Sequence, residues 1–492
     1  MQYKWTVLTV TTVGVLMSGL DGRIVVIGLP TVAASLHADA EQAIWFTQAY
    51  TVGSTVALLF IGRISDIVGR VKVYTLGFSI FTVGSVLTSL SISPDTFIAA
   101  RLFQGLGASA LFANSAALVT DAFPSTELGR ALGINSVAFR TGSMLGLTLS
   151  GLILSVADWR FLFYVNIPIG IFGTLWARRR LKEVGKIERG APIDWPGFIS
   201  FTSFITSFLL MLTFAAYGSG TRSVVLALGL MAIGSIFLFN FIERRVAYPL
   251  LDLRLLRIRE FAGGVATQLL NAMSWGAFIL VMSLYLQLVK GLTPIQAGIS
   301  IIPFDIAFLL VGPTSGRLSD KYGTRPFTTA GLLTITASLL LLSTIGPATP
   351  YSTLIMYLII GGSGMGLFVS PNMSSIMGSV PAHRRGVASG LRATFFNVGF
   401  TISFNIVILV LAFFVPYSLV TSIISSGGGP TAGVADRAMF AQGLDNVYLV
   451  LALINTAAIL PSLLRGPRVT GDIVPGVDSG SNIGGEGAVS VD

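Results

Sequence analysis

Cysteine is absent from the 492 residues, and histidine occurs only twice. The first absence excludes disulfide frameworks, thiolate metal sites and cysteine nucleophiles. His37 and His383 stand far apart in polar connecting segments, which argues against a histidine-based metal site and fits ordinary loop positions. No GxxxxGK[ST] loop occurs, so the chain lacks the phosphate cradle that ATP-driven work within it would need. The stretch GGSGMG at 361–366 lies inside an apolar run and reads as helix packing. Charge is the other scarcity: Asp, Glu, Lys and Arg together make up 11% of the residues, against about 25% in an ordinary soluble domain. No cofactor, metal or enzyme chemistry is implied.

What is there is hydrophobic, at 53% of the residues. A hydrocarbon layer roughly 30 Å thick takes about 20 apolar residues per helix, and such stretches recur along nearly the whole chain. The pattern predicts an all-α polytopic membrane protein with helices near 6–30, 42–61, 73–92, 96–119, 131–155 and 160–177, then a pair near 197–217 and 223–243. Six more follow near 262–288, 295–314, 326–346, 351–376, 387–416 and 444–464, fourteen in all. The apolar run after Lys4 extends to about Leu36, too long for the apolar region of a signal peptide, and reads as the first membrane helix.

Basic residues test this topology independently, because Lys and Arg collect in cytoplasmic loops. With Lys4 placed in the cytoplasm, 23 of the 31 basic residues fall on that side, among them the run ARRRLKEVGKIER at 177–189. Both termini are therefore expected in the cytoplasm, and the protein in the cell membrane. The net charge of +9 lies beside membrane spans, where it faces anionic headgroups and the lipid bilayer, and gives no reason to expect nucleic acid. The acidic, glycine-rich segment from 469 to 492 reads as a disordered cytoplasmic tail.

A short charged phrase occurs twice: GRISDIVGRVKV from Gly62 and GRLSDKYGTRPF from Gly316, each between the second and third helix of a six-helix set. A second match pairs GLGASALFANSAALVTDAFPSTELGRALG from Gly105 with GSGMGLFVSPNMSSIMGSVPAHRRGVASG from Gly362, so that Gly107 meets Gly364 and Gly133 meets Gly390. Two homologous halves follow: a six-helix bundle over 1–190, an inserted helix pair with its loops over 191–260, and a second six-helix bundle over 261–468. Duplicated bundles suit alternating access, in which two bodies rock about a site near the membrane midplane.

These residues carry a resemblance. The first phrase is similar to the loop signature of the major facilitator superfamily, as Gly62, Asp66, Gly69, Arg70 and Lys72, and Gly316, Asp320, Gly323 and Arg325 are its second copy. RLFQGLG at 101–107, LDGRIVVIGLP at 20–30, WRFLFYVNIPIG at 159–170 and LQLVKGLTPIQAG at 286–298 resemble motifs of the fourteen-helix drug:proton antiporter-2 branch. The resemblance implies the major facilitator fold of two six-helix bundles plus two inserted helices. It implies a gating role for the loop phrase, in which Asp66 caps a helix of the other half and Arg70 joins a cytoplasmic charge cluster; the halves differ in that Asp121 meets Gly378, which makes Asp121 and Arg130 candidates to join Arg70. It implies a link to proton transfer for Arg101, against the alternative that this arginine, a turn or two into its helix, snorkels to the outer interface, and close helix packing at Gly105, Gly107, Gly142, Gly146 and Gly151. The fifth helix departs from the branch: in GSMLGLTLSG, Leu147 replaces the expected proline and Ser150 a glycine, which weakens the inference of antiport.

Only two acids fall well inside the predicted spans, Asp21 and Asp305, and both are candidate proton carriers. Burial favours the neutral form of a carboxylate, so such a group can load and release a proton as its surroundings change. The competing reading is a fixed ion pair with an embedded arginine. Arg23, Arg101, Arg140 and Arg392 lie in or near spans, a cationic excess that hints at an anionic or amphipathic substrate; the hint vanishes if Arg23 reaches an interface and Arg392 belongs to a helix end. Arg23 and Asp21 are two residues apart, about 200° around a helix, and should not share a face. Arg23, Arg140, Trp275, Tyr285, Gln287, Phe395, Phe396 and Asn397 are candidate cavity residues. The expected function is proton-driven export of hydrophobic or amphipathic small molecules. The alternatives are a lipid or metabolite transporter working by uniport or symport, and a non-transporting membrane sensor or scaffold.

Overall fold

A computed structural model of the chain describes residues 3–184, 187, 194–217, 222–246, 253–380, 385–416 and 434–465. His383, Arg384 and the tail lie outside the described residues. The first half runs α1 (Tyr3–Ser35), α2 (Ala40–Val68), α3 (Arg70–Ser89), α4 (Pro94–Ala122), α5 (Ser125–Val156), the short α6 (Phe161–Tyr164) and α7 (Asn166–Arg180). The inserted pair is α8 (Trp195–Tyr217) and α9 (Arg222–Glu243). The second half runs α10 (Arg259–Trp275), α11 (Phe278–Leu284) with a π turn (Tyr285–Val289), α12 (Pro294–Tyr322), α13 (Thr324–Leu342), α14 (Tyr351–Gly378), α15 (Arg385–Phe414), α16 (Val434–Ala457) and α17 (Ile459–Leu463). Among the described residues thirteen helices are long and apolar enough to cross a membrane, or fourteen if the bent α2 counts as one span.

Local chemistry sets the boundaries. Capping boxes at Asp39/Gln42, Ser93/Thr96 and Thr293/Gln296 start α2, α4 and α12, the last two with proline just inside the helix. All three lie at the end of the bundle away from Arg63, Arg70, Lys72 and Arg178–Arg180, which mark the basic end. At the basic end Gly69 (φ +114°) alone joins α2 to α3, and Gly323 (φ +88°) alone joins α12 to α13. These are the same position of the two charged phrases, so the repeat encodes a one-residue reversal that only glycine makes without strain. One boundary corrects the sequence reading: the last long helix begins at Val434, not near 444, because the less apolar segment before the span continues the helix.

The halves meet along two seams. α5 and α12 run antiparallel, with Gly151 against Ile295, Gly298 against Leu147, and the Arg140 guanidinium 4.1 Å from the centre of the Phe308 ring. α2 meets α15 at Thr55 and Thr401, whose hydroxyl oxygens are 3.5 Å apart. Away from the basic end one apolar core crosses between the halves, from Ile24–Leu29 to Phe278–Met282. Towards the basic end the seams part: among the described residues nothing lies within 4 Å of a Cβ built at Gly62, Gly133 or Gly390. A cleft therefore opens at the basic end, and its floor lies where the seams stop. The inserted pair covers the α2–α15 seam, with Phe201, Ile205 and Phe239 packed into a cluster that includes Val52, Phe261 and Leu391.

Candidate functional site

The first polar group lies inside the first half. Asp21 (0% exposed) on α1 accepts a 2.6 Å hydrogen bond from Nη1 of Arg101 (1% exposed) on α4. Its other oxygen accepts from Gln104 at 2.9 Å and from Asn166 at 2.7 Å. Gln104 also accepts from Arg101 at 2.6 Å and donates to Ser85 at 2.8 Å, so α4 and α7 meet on the α1 carboxylate and α3 joins through Gln104. The guanidinium lies 4.4 Å from the centre of the Tyr50 ring. Gly146 presses α5 onto α1 beside this network: a Cβ there would lie 2.4 Å from the Leu20 carbonyl oxygen, one residue from Asp21. Gly142 packs likewise on Leu16, Gly105 on Tyr50 and Gly107 on Phe81, while Gly151 serves the seam to α12. Arg101 thus reaches a buried acid and does not extend to an interface.

The second group crosses between the halves. Arg23 does not reach an interface either: its Nη1 is buried, and its charge and that of Arg140 act directly on Asp305 of α12. Asp305 is 3% exposed, with Oδ2 unpartnered among the described residues, as is Nη1 of Arg23. Phe308, under Arg140, is three residues beyond Asp305, so acid and ring share a face of α12. Gly22 is exposed in the middle of α1, with only Tyr50 near the place of a Cβ, and marks the open space beside Arg23. α1 therefore carries Asp21 into its own half and Arg23 towards the other, as their angular separation requires.

The helix facing this floor is broken. α10 ends at Trp275, and the freed N–H of Ala277 donates to Ser403 Oγ at 2.9 Å, the kind of side-chain rescue that interrupted membrane helices need. Trp275 stacks on Phe278 (4.0 Å) and Phe304 (5.3 Å), the residue before Asp305, and its indole N–H has no partner among the described residues.

Other candidates fall elsewhere. Tyr285 donates to Gly346 O at 2.9 Å, and Gln287 donates to Ile27 O at 3.1 Å and to Ser283 at 2.8 Å, so both brace the closed end. Phe395 packs into the cluster under the inserted pair. The Phe396 ring lies 5.9 Å from that of Phe400, and the Asn397 carbonyl accepts from Thr401 at 2.8 Å. Arg392 lies on the stripe of α15 that carries Gly399 and Ser403 against α10, away from the cleft.

At the basic end Arg70 donates to both oxygens of Asp121 at 2.7 Å and to Asp66 at 3.1 Å. Asp66 therefore serves its own half and caps no described helix of the other, which corrects the expected latch for this open form. The cap on α3 comes instead from Glu183, a residue the sequence reading passed over, whose oxygens accept from the N–H groups of Arg70 (2.8 Å) and Val71 (3.0 Å). Lys72 is exposed, as is Arg325, while Gly316 faces Ser370 of α14. The side chains of Arg130 and Asp320 lie outside the described residues. Gln104 and Asn166 were legible in principle, since both sit inside motifs quoted above; Glu183 was hidden in a basic run.

Residues 11–404 match the Major Facilitator Superfamily. The chain is 36% identical over 402 residues to the riboflavin transporter RibZ of Clostridioides difficile (strain 630), covering 82% of this chain and 87% of that protein. It is 33% identical over 408 residues to the multidrug resistance protein Stp of Mycobacterium tuberculosis (strain ATCC 25618 / H37Rv), covering 82% and 75%. In architecture it is similar to a bacterial homolog of the human lysosomal transporter Spinster, with a TM-score of 0.66 at 14% identity, over 94% of this chain and 97% of that one.

Proposed function

The chain belongs to the major facilitator superfamily and is a transporter, and from that premise we propose that it exports amphipathic small molecules in exchange for protons by alternating access. The bodies that rock are the bundles of 1–190 and 261–468, with the basic end in the cytoplasm and the chain in the cell membrane. The observation that carries the reading is the double role of α1, which places Asp21 in a buried network and Arg23 on the floor of the cleft. A proton on Asp21 removes the charge that holds Arg101 and loosens α1 from α4; the shift reaches the floor through Arg23. Asp305, when charged, attracts Arg23 and Arg140 across the halves, and when protonated no longer does. Substrate binding and proton loading thus act on one helix from its two faces. The relation to Stp supports export, since that protein is named for multidrug resistance.

The test is lumenal pH in proteoliposomes challenged with cationic, anionic and neutral amphipathic compounds. Substrate-driven proton movement is expected in the parent. Asp21→Asn should abolish it while substrate binding remains, and Asp305→Asn should change both. Substrate flux without any proton signal in the parent would remove antiport.

A second reading, transport of a polar metabolite, rests on the 36% identity to a riboflavin transporter. Riboflavin counterflow in the same vesicles decides between the two cargos.

A further inference from the structure

Pairing the embedded charges sharpens the substrate. Arg101 is matched by Asp21, so that pair is formally neutral. On the cleft floor, by contrast, Arg23 and Arg140 share the single carboxylate of Asp305, and no other acid acts on either arginine among the described residues. A buried cation without a full counter-charge is costly in a membrane protein and marks a place where a partner comes and goes.

The geometry points to an organic anion with a flat aromatic body as the ligand of this floor, its carboxylate, sulfonate or acidic phenol bound by Arg140 and Arg23. The inference rests on the transporter reading above. Arg140 lies over the Phe308 ring at 4.1 Å, an arrangement that fixes the plane of the guanidinium and leaves its edge for the two-point hydrogen bonding that carboxylates and sulfonates accept. Open space adjoins Arg23 at Gly22, where among the described residues only Tyr50 comes near the place of a Cβ. Trp275, Phe278 and Phe304 form a stack next to Asp305, and the unpartnered indole N–H is a further donor. A cation would find here one carboxylate whose charge two nearby arginines already offset. An anion finds two cations and competes with Asp305 for their charge.

That competition fixes the sign of the test. Purified full-length protein in detergent is titrated with naphthalene-2-sulfonate, with naphthalene-2-sulfonamide as the neutral match and (naphthalen-2-yl)methyl-trimethylammonium as the cationic one, and binding is followed by equilibrium dialysis. Saturable binding of the sulfonate is expected, with neither match competing. Asp305→Asn should tighten it several-fold by removing the internal competitor; a cation site would lose affinity in the same variant. Arg140→Gln should weaken it about tenfold and Arg140→Lys should recover part of the loss. Thermal unfolding of each variant separates a folding defect from a binding one. The inference is overturned if the cation binds and the sulfonate does not, if Asp305→Asn weakens sulfonate binding, if Arg140→Gln leaves it unchanged in a folded protein, or if no probe saturates. Pumping of cations without sulfonate binding would sink the anion site and leave the transporter; sulfonate binding with no flux of any compound would do the reverse.

Discussion

Asp21 is the residue on which structure and function can be separated. Its carboxylate holds three donors in a buried site, so Asp21→Asn leaves Arg101 charged with no counter-charge. Breaking a buried pair in this way typically costs about 3–5 kcal/mol, whereas replacing both members with neutral side chains of similar volume is often nearly neutral. Asp21→Asn should therefore lower the unfolding temperature in detergent clearly, and Asp21→Asn with Arg101→Met should restore most of it without restoring proton movement. A double variant that remains as unstable as the single one would show that the network owes its stability to Gln104 and Asn166 instead. Each charged member of this pair was legible in the sequence, because a charge inside an apolar run stands out. Their pairing was not, since it joins α1 to α4 across a sequence separation of 80 residues and depends on how those helices pack. The interfacial alternative for Arg23 failed for the same reason: its partner comes from a helix nearly three hundred residues away.

At the scale of elements the charged phrase gives the sharpest case. Both copies were visible as a repeat, and the glycine at the joint could be read as a turn. That a single residue makes the whole connection follows from φ at Gly69 and Gly323 and from nothing in the pattern alone. Nothing lies within 4 Å of a Cβ at Gly323, so Gly323→Ala tests backbone strain by itself, expected at about 1–3 kcal/mol. Gly69→Ala should cost more, because its Cβ would lie 2.8 Å from the Glu183 carboxylate that caps α3. Gly62 is helical and faces open space, so Gly62→Ala should be neutral or stabilising by up to about 1 kcal/mol. Unfolding temperatures in the order Gly62→Ala, parent, Gly323→Ala, Gly69→Ala, from high to low, are the expected result. A neutral Gly323→Ala would mean that the joint relaxes and is no hinge. The first copy builds a charge cluster within its own half: Asp66 is taken by Arg70, and Glu183 caps α3.

For the whole molecule, hydropathy was enough for an all-helical fold of thirteen or fourteen spans, because a membrane forces every span to declare itself over about 20 residues. Which end is open could not be read that way, since the same helices pack in either form and the sequence carries no term for the rocking angle. The seams make the matter testable, and the absence of native cysteine makes the test clean. Thr55 and Thr401 face one another across the α2–α15 seam with hydroxyls 3.5 Å apart, a separation that sulfur atoms at the same positions can close to a disulfide with small adjustment. The pair Thr55→Cys with Thr401→Cys should cross-link under mild oxidation. If the halves rock, the cross-linked protein binds ligand from the basic end, because the cleft is open there, yet stops transporting, and reductant restores flux. Each single variant controls for the substitution itself. Full-rate transport by the cross-linked form would mean that this seam does not move in the cycle, and the opening would then have to come from the α5–α12 side alone, where Arg140 and Phe308 close the floor.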